Sequence, residues 1–581
     1  MSGQGRLRSW MNKVIFDGAE LMTIATPDNL RFLDDPISLR ITWDRLVSIS
    51  EEAAATLVNM AFSSIIREVG DYSCLLMDAS GSSLAQPKTS VPVFIGTLPA
   101  TVRHLLAKFP AETLKPGDSL ITNDPWLGTG HLNDVTVVTP VFRGGRLVAF
   151  TGAAAHMSDI GGSLNMGSSR DMYEEGFLIP PSKLMIEGQV NQQLLDLFLA
   201  NVRSPDQVEG DLHAMLAANQ IGANGLLGLM DDLQLESVTP LAEKIHALTE
   251  NAMRKAIEAV PDGRYEAAVD IGDFEGDIHL NVAVIVAGSN ITIDYAGSSA
   301  ESLFGSNCPM SFTYAYSVYP LKCLLEPHLP NNEGCFKSIT VTAPEGSIAN
   351  ARPPCAVEMR NRVGHMAHAA IFTALSGIMP ERVMGHSGSA PVTCDVFAGQ
   401  FDDGRRFVES LCVNGGTGAR PSADGIVTGF PGNMSSTPVE LMESTTPLLF
   451  MQKAIVPDSG GAGRYRGGVA QRMVIRNTSQ HTLTHSMFYS RQKHAAEGVL
   501  GAAAGACNYV AINGESLAKP VGRHDVLPGD EITIQMPGGG GKMPVHQRDK
   551  QAILWDLQEG YITRAGAIRD YGVNPDELKR D

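Results

Sequence analysis

The sequence lacks the features that place a protein in a membrane or on a nucleic acid. Among its 581 residues, no uninterrupted apolar stretch approaches the roughly 20 residues that a membrane-spanning helix needs. It has no basic run, and its formal net charge of −18 argues against sequence-independent nucleic-acid binding, which requires a positive surface. Charges interrupt the apolar part of the N-terminal stretch MSGQGRLRSWMNKVIFDGAE, so no secretory signal is predicted. We therefore expect a cytoplasmic protein.

Motifs of several enzyme and metal-site classes are also missing. The eight cysteines are scattered without a C-x-x-C pair, so buried free thiols are expected and a zinc-finger-type site is not. Neither G-x-S-x-G nor H-E-x-x-H occurs, which leaves serine-hydrolase and zincin interpretations without direct support. A phosphate loop needs Ser or Thr after its Lys, whereas Met543 and Pro544 follow Pro537–Lys542. We predict a tight glycine-rich turn there, and a structural turn or interface loop at Pro457–Gly468.

Length and pattern predict an α+β chain of several units. A chain this long should divide into at least two or three packed units, and its helical and β-like segments do not alternate regularly. Long helices fall in the N-terminal half, and mixed and antiparallel sheets are expected. The predicted units are an N-terminal arm (1–34), a metal-bearing α/β unit (35–260), a mixed α/β unit (261–399) and a Gly-rich, β-rich unit with short C-terminal helices (400–581).

Asp71 lies at the predicted junction between a helix and a strand. Helical periodicity without internal Pro or Gly predicts a long helix from Thr42 to about Glu68. A strand, Tyr72–Met77, follows, and it turns at Asp78–Gly81. Further predicted elements are helices within 191–260, strands at Tyr265–Ile271, His279–Val286 and Ile291–Tyr295, helices at Thr313–Leu325 and about Val363–Leu375, and two short helices within Gln551–Tyr571.

The most informative stretch is a Gly-containing loop followed by a hairpin pattern. Apolar, β-branched residues flank Gly144-Gly145 and predict two strands joined by a tight turn. A two-residue turn pairs residues whose numbers sum to about 289, so Asp134 would face the residue just before His156. One bulge would put the two directly across from each other. Because His131 enters three residues before Asp134, the pattern predicts a metal site with nitrogen and oxygen donors.

The residues by themselves leave alternatives open. His-x-x-Asp is a weak motif, because both residue types are common in loops as turn caps or half-buried packing groups. Asp71 and Glu68 compete as a fourth ligand, and the pattern does not choose between them. His365 and His368, three apart on a predicted helix, are more typical of core or interface histidines than of ligands.

Short motifs spread over nearly the whole chain occur in an order typical of one family. They are Asp35–Leu39, Asp71–Cys74, Asn123–Asp134, His156–Gly162, Tyr173–Gly176, Asn201–Pro205, Asn332–Cys335, Ala343–Ser347, Pro457–Gly468 and Gly538–Gly541. On these residues the chain resembles the hydantoinase B/oxoprolinase family. Its members form one subunit of ATP-dependent hydantoinases, lactamases and 5-oxoprolinases, and are related to acetone and acetophenone carboxylases.

The resemblance implies a metal site built from Asp71, His131, Asp134 and His156, and it favours Asp71 over Glu68. These side chains would act in catalysis through one divalent ion. Two carboxylates and two imidazoles suit Zn²⁺, Mn²⁺ or Fe²⁺ about equally.

Three positions outside the ligand set bear on the site. Ligating imidazoles usually donate their second N–H to an oxygen, so Asp124 and Asp159 are candidates for that contact. Relatives usually carry a His where this chain has Phe94. If that His contacts substrate in relatives, the pocket here is more apolar.

The resemblance also implies a reaction and a partner. ATP and Mg²⁺ would bind in a separate A-type subunit, within a hetero-oligomer such as a dimer of heterodimers. The expected reaction is the opening of a cyclic amide of the hydantoin, lactam or 5-oxoproline type. The alternative enzyme is a component of an ATP-dependent ketone carboxylase of the acetone or acetophenone type. A catalytically silent scaffold is disfavoured, because all four candidate ligands are present.

Overall fold

The computed structural model describes residues 28–576, except 165–166, 273–275 and 490. Residues 1–27 of the predicted arm (1–34) therefore lie outside the described residues, and Asp28–Leu33 forms a 3₁₀ helix. Helices and sheets that do not alternate regularly confirm the predicted α+β class. Among the described residues, none of the helices combines the length and the hydropathy that crossing a membrane requires.

The helices and strands have the following bounds. The α-helices are α1 (Pro36–Met60), α2 (Pro92–Lys108), α3 (Met172–Glu175), α4 (Gln192–Leu199), α5 (Pro205–Asp232), α6 (Thr239–Glu258), α7 (Met310–Leu325), α8 (Asn361–Leu375), α9 (Val439–Thr445), α10 (Lys550–Gln558) and α11 (Arg564–Tyr571). The strands are β1 (Tyr72–Asp78), β2 (Ser83–Ala85), β3 (Ser119–Thr122), β4 (Asp134–Arg143), β5 (Arg146–His156), β6 (Ser182–Ile186), β7 (Gln189–Val190), β8 (Gly263–Gly272), β9 (Asp277–Ala287), β10 (Asn290–Asp294), β11 (Ile339–Thr342), β12 (Thr393–Gln400), β13 (Arg406–Val413), β14 (Leu448–Val456), β15 (Ala470–Asn477), β16 (Leu483–Phe488), β17 (Tyr509–Ile512), β18 (Glu515–Ser516), β19 (Val521–Val526) and β20 (Glu531–Gln535).

A seven-stranded antiparallel sheet contains the predicted hairpin as β4 and β5. Its strand order is β2-β1-β5-β4-β3-β6-β7. Successive residues of β5 meet helices on opposite faces, since Thr151 donates to the Asn219 carbonyl of α5 at 3.0 Å and Gly152 lies against Leu98 of α2. Because both faces are covered, β1 and most of β4 and β5 are buried.

The remaining strands form three further sheets. A mixed four-stranded sheet, β11-β10-β9-β8, packs against α8. The sheets β13-β12-β16-β19 and β14-β15-β20-β17-β18 share a second apolar core, which includes Phe397, Met473 and Ile534. The β-rich character expected of the C-terminal part is therefore present, as two sheets packed on one another.

Helix α1 starts and ends earlier than the predicted helix, Thr42 to about Glu68. Asp35 caps its start by accepting backbone N–H groups of the first turn. The buried carboxylate of Asp211 accepts two backbone N–H groups just past the helix end, at 2.7 and 3.1 Å. Since a continuing helix would use those groups internally, this long-range contact ends α1, and Glu68 lies in a separate π-helical turn, Ile65–Val69.

Pro537–Lys542 is not the tight turn that the sequence predicted. Its glycines lie in buried chain outside the helices and strands, where the Gly539 N–H donates to the Gly468 carbonyl at 2.9 Å and the Gly461 N–H donates to the Gly539 carbonyl at 2.8 Å. A Cβ on Gly539 would lie 1.9 Å from the Thr417 carbonyl oxygen, so only glycine fits. We call the segments 415–418, 460–468 and 538–541 the glycine-packed segments.

The sequence had led us to expect free thiols, and this prediction is wrong for two of the cysteines. Cys394 and Cys412 form a disulfide, and they stand directly opposite each other on β12 and β13. The pairing depends on strand register, which the spacing of cysteines in the sequence does not reveal. The free cysteines are Cys74, Cys308, Cys323, Cys335, Cys355 and Cys507.

Candidate metal centre

The hairpin register places Asp134 and His156 directly opposite each other. Near the turn the strands pair as predicted, and an irregularity between Val141 and Phe142 then shifts the pairing by one residue. That bulge removes the predicted offset between the two residues. Because directly paired residues on antiparallel strands project from the same face, the carboxylate and the imidazole meet at one end of the sheet.

His131 reaches the same point from the loop before β4. The loop begins with a turn in which the Asp124 carboxylate accepts the Trp126 N–H at 2.9 Å. Further along it, Gly130 has a φ of +98° and lies so close to Arg360 that a Cβ would stand 2.7 Å from the arginine Cδ. Glycine is therefore required for the loop to fold over the strand end beside this arginine.

The three side chains form a compact donor set. One candidate donor atom from each of His131, Asp134 and His156 lies within 4.8 Å of the others, and the two imidazole centroids are 5.2 Å apart. Nε2 of His131 is 2.8 Å from Oδ1 of Asp134. Both ring nitrogens of His131 and Nδ1 of His156 are buried without a hydrogen bond of good geometry. Buried polar atoms are rarely left so, and a divalent ion is the kind of group that would use them.

Asp71 immediately precedes the neighbouring strand, β1. Tyr72 pairs with Ala155, so Asp71 falls opposite His156, whose backbone N–H donates to the Asp71 carbonyl at 3.1 Å. Asp71 lines the same cavity as the other three residues, although it lies outside the 4.8 Å group. Its rival Glu68 is exposed. The structure thus brings together three predicted ligands, with Asp71 beside them and Glu68 elsewhere.

Arg360 also contacts the donor set, and no pattern in the sequence pointed to it. Its Nη2 donates to Oδ2 of Asp134 at 2.6 Å, its Nε donates to the Thr129 carbonyl at 3.0 Å, and its guanidinium lies 4.3 Å from the Phe312 ring centroid. Asp134 is therefore held by one oxygen and keeps the other facing His131. No local spacing could signal this contact, because the two residues are separated by 226 positions.

Burial sets the protonation states of the cluster. Burial and the Arg360 charge lower the pKa of His131, and burial and His131 lower the pKa of His156 to about 3. Burial opposes ionisation of Asp134, but His131 and Arg360 outweigh it and hold the pKa of Asp134 below its usual value. Burial and the Asp134 charge raise the pKa of Asp71 to about 8. Neutral imidazoles beside an ionised carboxylate are the forms that bind a metal.

Asp124 and Asp159 were expected to support the imidazoles, and their hydrogen bonds go elsewhere. Asp124 accepts backbone N–H groups of its own turn, including that of Trp126. Asp159 pairs with Arg203 at 2.9 Å and accepts the backbone N–H of Ser204 at 3.2 Å. We therefore assign neither residue an imidazole contact, although Asp159 lines the cavity.

The cluster lines a cavity of about 130 Å³ that also receives two glutamates. Oε1 of Glu175 accepts the backbone N–H groups of Val357 and Glu358 at 2.6 and 2.7 Å, whereas its buried Oε2 has no hydrogen-bond partner. Burial and the Glu358 carboxylate raise the pKa of Glu175 well above its usual value, and burial raises the pKa of Glu358 to about 7. Although Glu175 belongs to the motif Tyr173–Gly176, nothing in that motif indicated that its side chain would line this cavity.

Phe94 and His365 were also singled out in the sequence, and they differ in their relation to the cavity. Phe94 is fully buried in the main apolar core, and the described residues that line the cavity do not include it. Phe94 therefore does not shape the cavity wall. His365 does line the cavity, where its Nδ1 accepts the backbone N–H of Val392 at 3.1 Å. It has the partner that a structural histidine would have.

Comparison with known proteins gives a consistent picture. The family model for hydantoinase B/oxoprolinase matches residues 35–542. An uncharacterized protein of Methanocaldococcus jannaschii is 31% identical over 93% of this chain and 96% of its own length. The B-type subunit of a putative D-/L-hydantoinase from a Pseudomonas species (strain NS671) is 28% identical over 93% of this chain and 95% of its own length.

Two solved structures are similar over most of the chain. The ATP-dependent caprolactamase from Pseudomonas jessenii matches with a TM-score of 0.87 and 26% identity, covering 93% of this chain and 96% of that one. The nucleotide-free structure of acetone carboxylase matches with a TM-score of 0.85 and 18% identity, covering 98% of this chain and 83% of that one. The second likeness is one of fold alone.

Proposed function

Because the chain belongs to the hydantoinase B/oxoprolinase family, we propose that it is the metal-containing subunit of an ATP-dependent cyclic amide hydrolase. The substrate is a ring of the hydantoin, lactam or 5-oxoproline type. The single observation that carries the proposal is the convergence of His131, Asp134 and His156 in one buried cavity, with Asp71 beside them. Relatives named as a hydantoinase component and a caprolactamase support the reaction class.

The proposed ligands of the ion are His131, Asp134, His156 and Asp71. The donor set of two imidazoles and two carboxylates suits Zn²⁺, Mn²⁺ or Fe²⁺. Once bound, such an ion polarises a carbonyl and lowers the pKa of a coordinated water toward neutrality. The assignment is supported by both ring nitrogens of His131 and by Nδ1 of His156, which are buried without a hydrogen bond of good geometry.

The protein's own residues supply the rest of the chemistry. Arg360 fixes one oxygen of Asp134, so the other oxygen stays directed toward the donor cluster. In ring opening, a water oxygen bonds to the carbonyl carbon, the C–N bond breaks and the ring nitrogen takes up a proton. Glu175 is the proposed donor of that proton, because it lines the same cavity, its buried Oε2 has no hydrogen-bond partner, and burial together with the Glu358 carboxylate raises its pKa well above the usual value, which favours the protonated form.

ATP activation is assigned to a separate A-type subunit that binds ATP and Mg²⁺. An unstrained amide is resonance-stabilised, so its hydrolysis benefits from a phosphorylated intermediate, formed from ATP on the amide oxygen or on bicarbonate with release of ADP. The phosphoryl group then leaves as inorganic phosphate when hydrolysis is completed. The glycine-rich stretch before Lys542 offers no phosphate loop, because it is buried and the Lys542 ammonium donates to the Pro421 carbonyl at 2.7 Å. A relative named as one component of a hydantoinase supports a hetero-oligomeric complex; we propose a dimer of heterodimers.

The test is to co-purify the chain with the subunit encoded by its neighbouring gene and to assay the complex. With ATP and a divalent metal, a lactam or hydantoin should yield the linear amino acid or carbamoyl amino acid, and ATP should be consumed. His131→Ala or Asp134→Ala should abolish ring opening by removing a ligand. Full activity in either variant would remove the metal from the mechanism.

An experiment with labelled bicarbonate distinguishes this function from that of a ketone carboxylase. The carboxylase is the alternative because the fold is similar to that of acetone carboxylase. If bicarbonate is required by the hydrolase, its carbon serves only as a transient activator and should not remain in the stable product. Net incorporation of label into a ketone would replace the hydrolase assignment by the carboxylase.

A further inference from the structure

Two ring side chains with polar atoms belong to the wall of the metal cavity. Tyr316 lies on α7 and His365 on α8, and both line the cavity. The two rings pack side by side, with centroids 4.5 Å apart. Phe312 packs against Tyr316 at a centroid distance of 4.7 Å, and Phe430 packs against His365 at 5.0 Å. This packing holds the polar atoms of both rings in fixed positions.

The hydrogen bond of His365 determines which of its ring nitrogens carries the proton. Its Nδ1 accepts the backbone N–H of Val392 at 3.1 Å, and a ring nitrogen that accepts a hydrogen bond carries no proton. Burial, together with the neighbouring His368 and Arg360, lowers the pKa of His365 well below its usual value, so the ring is neutral. The single ring proton therefore lies on Nε2, which is a hydrogen-bond donor.

The Tyr316 hydroxyl is a second donor. Burial and the Asp71 carboxylate raise the pKa of Tyr316 above its usual value, so the hydroxyl keeps its proton. Within the part of the chain that the structure describes, neither this hydroxyl nor Nε2 of His365 has a hydrogen-bond partner. The fully buried polar atoms without a partner do not include them either. Since both side chains line the cavity, the two donors open into it.

We propose that Tyr316 and His365 donate hydrogen bonds to the ring carbonyl oxygen of the substrate. The inference rests on the proposed function and adds two catalytic residues to it. When the water oxygen bonds to the carbonyl carbon, an electron pair of the C=O bond moves onto the oxygen, and the two donors stabilise that charge. The electron pair returns when the C–N bond breaks and the ring nitrogen takes up its proton. Neither donor loses its own proton.

The two donors suit this role because they are fixed, buried and neutral. Donors that are already in place at a developing charge stabilise it without the cost of reorienting, and the effect is large where water is excluded. A neutral pair also adds no positive charge beside the proposed ion. If the amide oxygen is phosphorylated, negative charge develops on the same oxygen as the phosphate leaves, so the donors act at one atom in either route.

Tyr316→Phe tests the first donor, because it removes the hydroxyl and keeps the ring. In the complex with the A-type subunit, ATP and metal, kcat for ring opening should fall about 100-fold, while KM and metal content stay unchanged. The control is Tyr314→Phe on the same helix. Tyr314 packs against Gly96 of α2 and is not among the described residues that line the cavity, so kcat should not change. An unchanged kcat in Tyr316→Phe would overturn the inference.

Two substitutions at His365 separate a catalytic role from a structural one. His365→Gln keeps an N–H near the position of Nε2 and loses the acceptor for Val392. His365→Asn keeps an acceptor near the position of Nδ1 and loses that N–H. A catalytic donor predicts that kcat falls about 100-fold in His365→Asn and clearly less in His365→Gln. The reverse order, or equal losses, would overturn the role of His365.

The same assays distinguish failure of the inference from failure of the proposed function. Thermal melting establishes that each variant is folded, and if neither His365 variant folds, Tyr316→Phe decides. A wild-type complex that opens a cyclic amide, with Tyr316→Phe equally active, overturns only the donor pair. A wild-type complex that opens no cyclic amide overturns the proposed function itself.

Discussion

Arg360→Met removes the guanidinium that pairs with Asp134 inside the protein, and its effect should depend on metal. The two side chains are only 6% and 2% exposed and stand 2.6 Å apart. Removing one partner of a buried pair costs about 3–5 kcal/mol, because the other charge stays buried and unpaired. Methionine keeps much of the apolar contact with Phe312, so the lost charge dominates the change.

The variant should be destabilised most in the metal-free protein. A bound divalent ion supplies positive charge beside Asp134 and therefore replaces part of the electrostatic stabilisation that the Arg360 guanidinium provides. The metal-loaded protein should therefore lose clearly less than about 3–5 kcal/mol, and by linkage the variant should bind metal more tightly than the wild type. Hydrogen exchange of the β4 and β5 amides, with and without metal, measures the opening free energy of this sheet.

An exposed ion pair provides the control. Arg143 pairs with Asp231, and their side chains are 28% and 68% exposed, so Arg143→Met should cost less than about 1 kcal/mol. The control should also show no dependence on metal. If Arg360→Met loses the same stability in both states, or no more than the control, the coupling between Arg360, Asp134 and the metal is refuted.

Three further predictions concern catalysis, nucleotide binding and pH. Glu175→Gln should lower kcat for ring opening by about 100-fold, while the metal content stays unchanged. The loss should be smaller for a hydantoin than for a lactam, because the leaving nitrogen of a hydantoin is more acidic. An unaffected rate would contradict the proton-donor role. The isolated chain should give no saturable ATP binding by calorimetry, and saturable binding would contradict assignment of ATP to the partner. Although burial acts to raise it, hydrogen bonds from Arg548 lower the pKa of Asp424 below 3.8. The ionised Asp424 carboxylate therefore stabilises the folded protein fully above pH 3.8, and this contribution is lost as pH falls through the lower folded pKa. The free energy of unfolding that Asp424→Asn loses at pH 7 should accordingly be regained in strong acid. A loss that does not depend on pH would contradict this prediction.

The local part of the site could be predicted because short-range chemistry specifies it. Gly144-Gly145 fixes the hairpin turn, and the β-branched flanks fix the strands. The register then brings Asp134 to within one residue of His156. The last step needed the bulge at Val141, for which the sequence carries no marker. Hairpins are predictable to this degree because turn length dictates pairing.

The rest of the cavity could not be predicted, because distant parts of the chain build it. Arg360 precedes α8 and Glu175 ends α3, and both meet the hairpin only after the whole unit has packed. The early end of α1 has the same origin, since Asp211 lies on another helix. Helical periodicity reports the propensity of one segment and is silent about a carboxylate that arrives from elsewhere.

The glycine-packed segments have a consequence for how the C-terminal part responds to temperature. There the chain is packed backbone against backbone, as where a Cβ on Gly416 would lie 1.9 Å from the Gly468 carbonyl oxygen. Unfolding such segments exposes mainly peptide groups, which lower the heat-capacity increment, whereas exposed apolar side chains raise it. This region should therefore add less curvature to the protein's stability–temperature profile than the two apolar cores do. Its resistance to cold rests on amide hydrogen bonds, which do not weaken on cooling as apolar burial does.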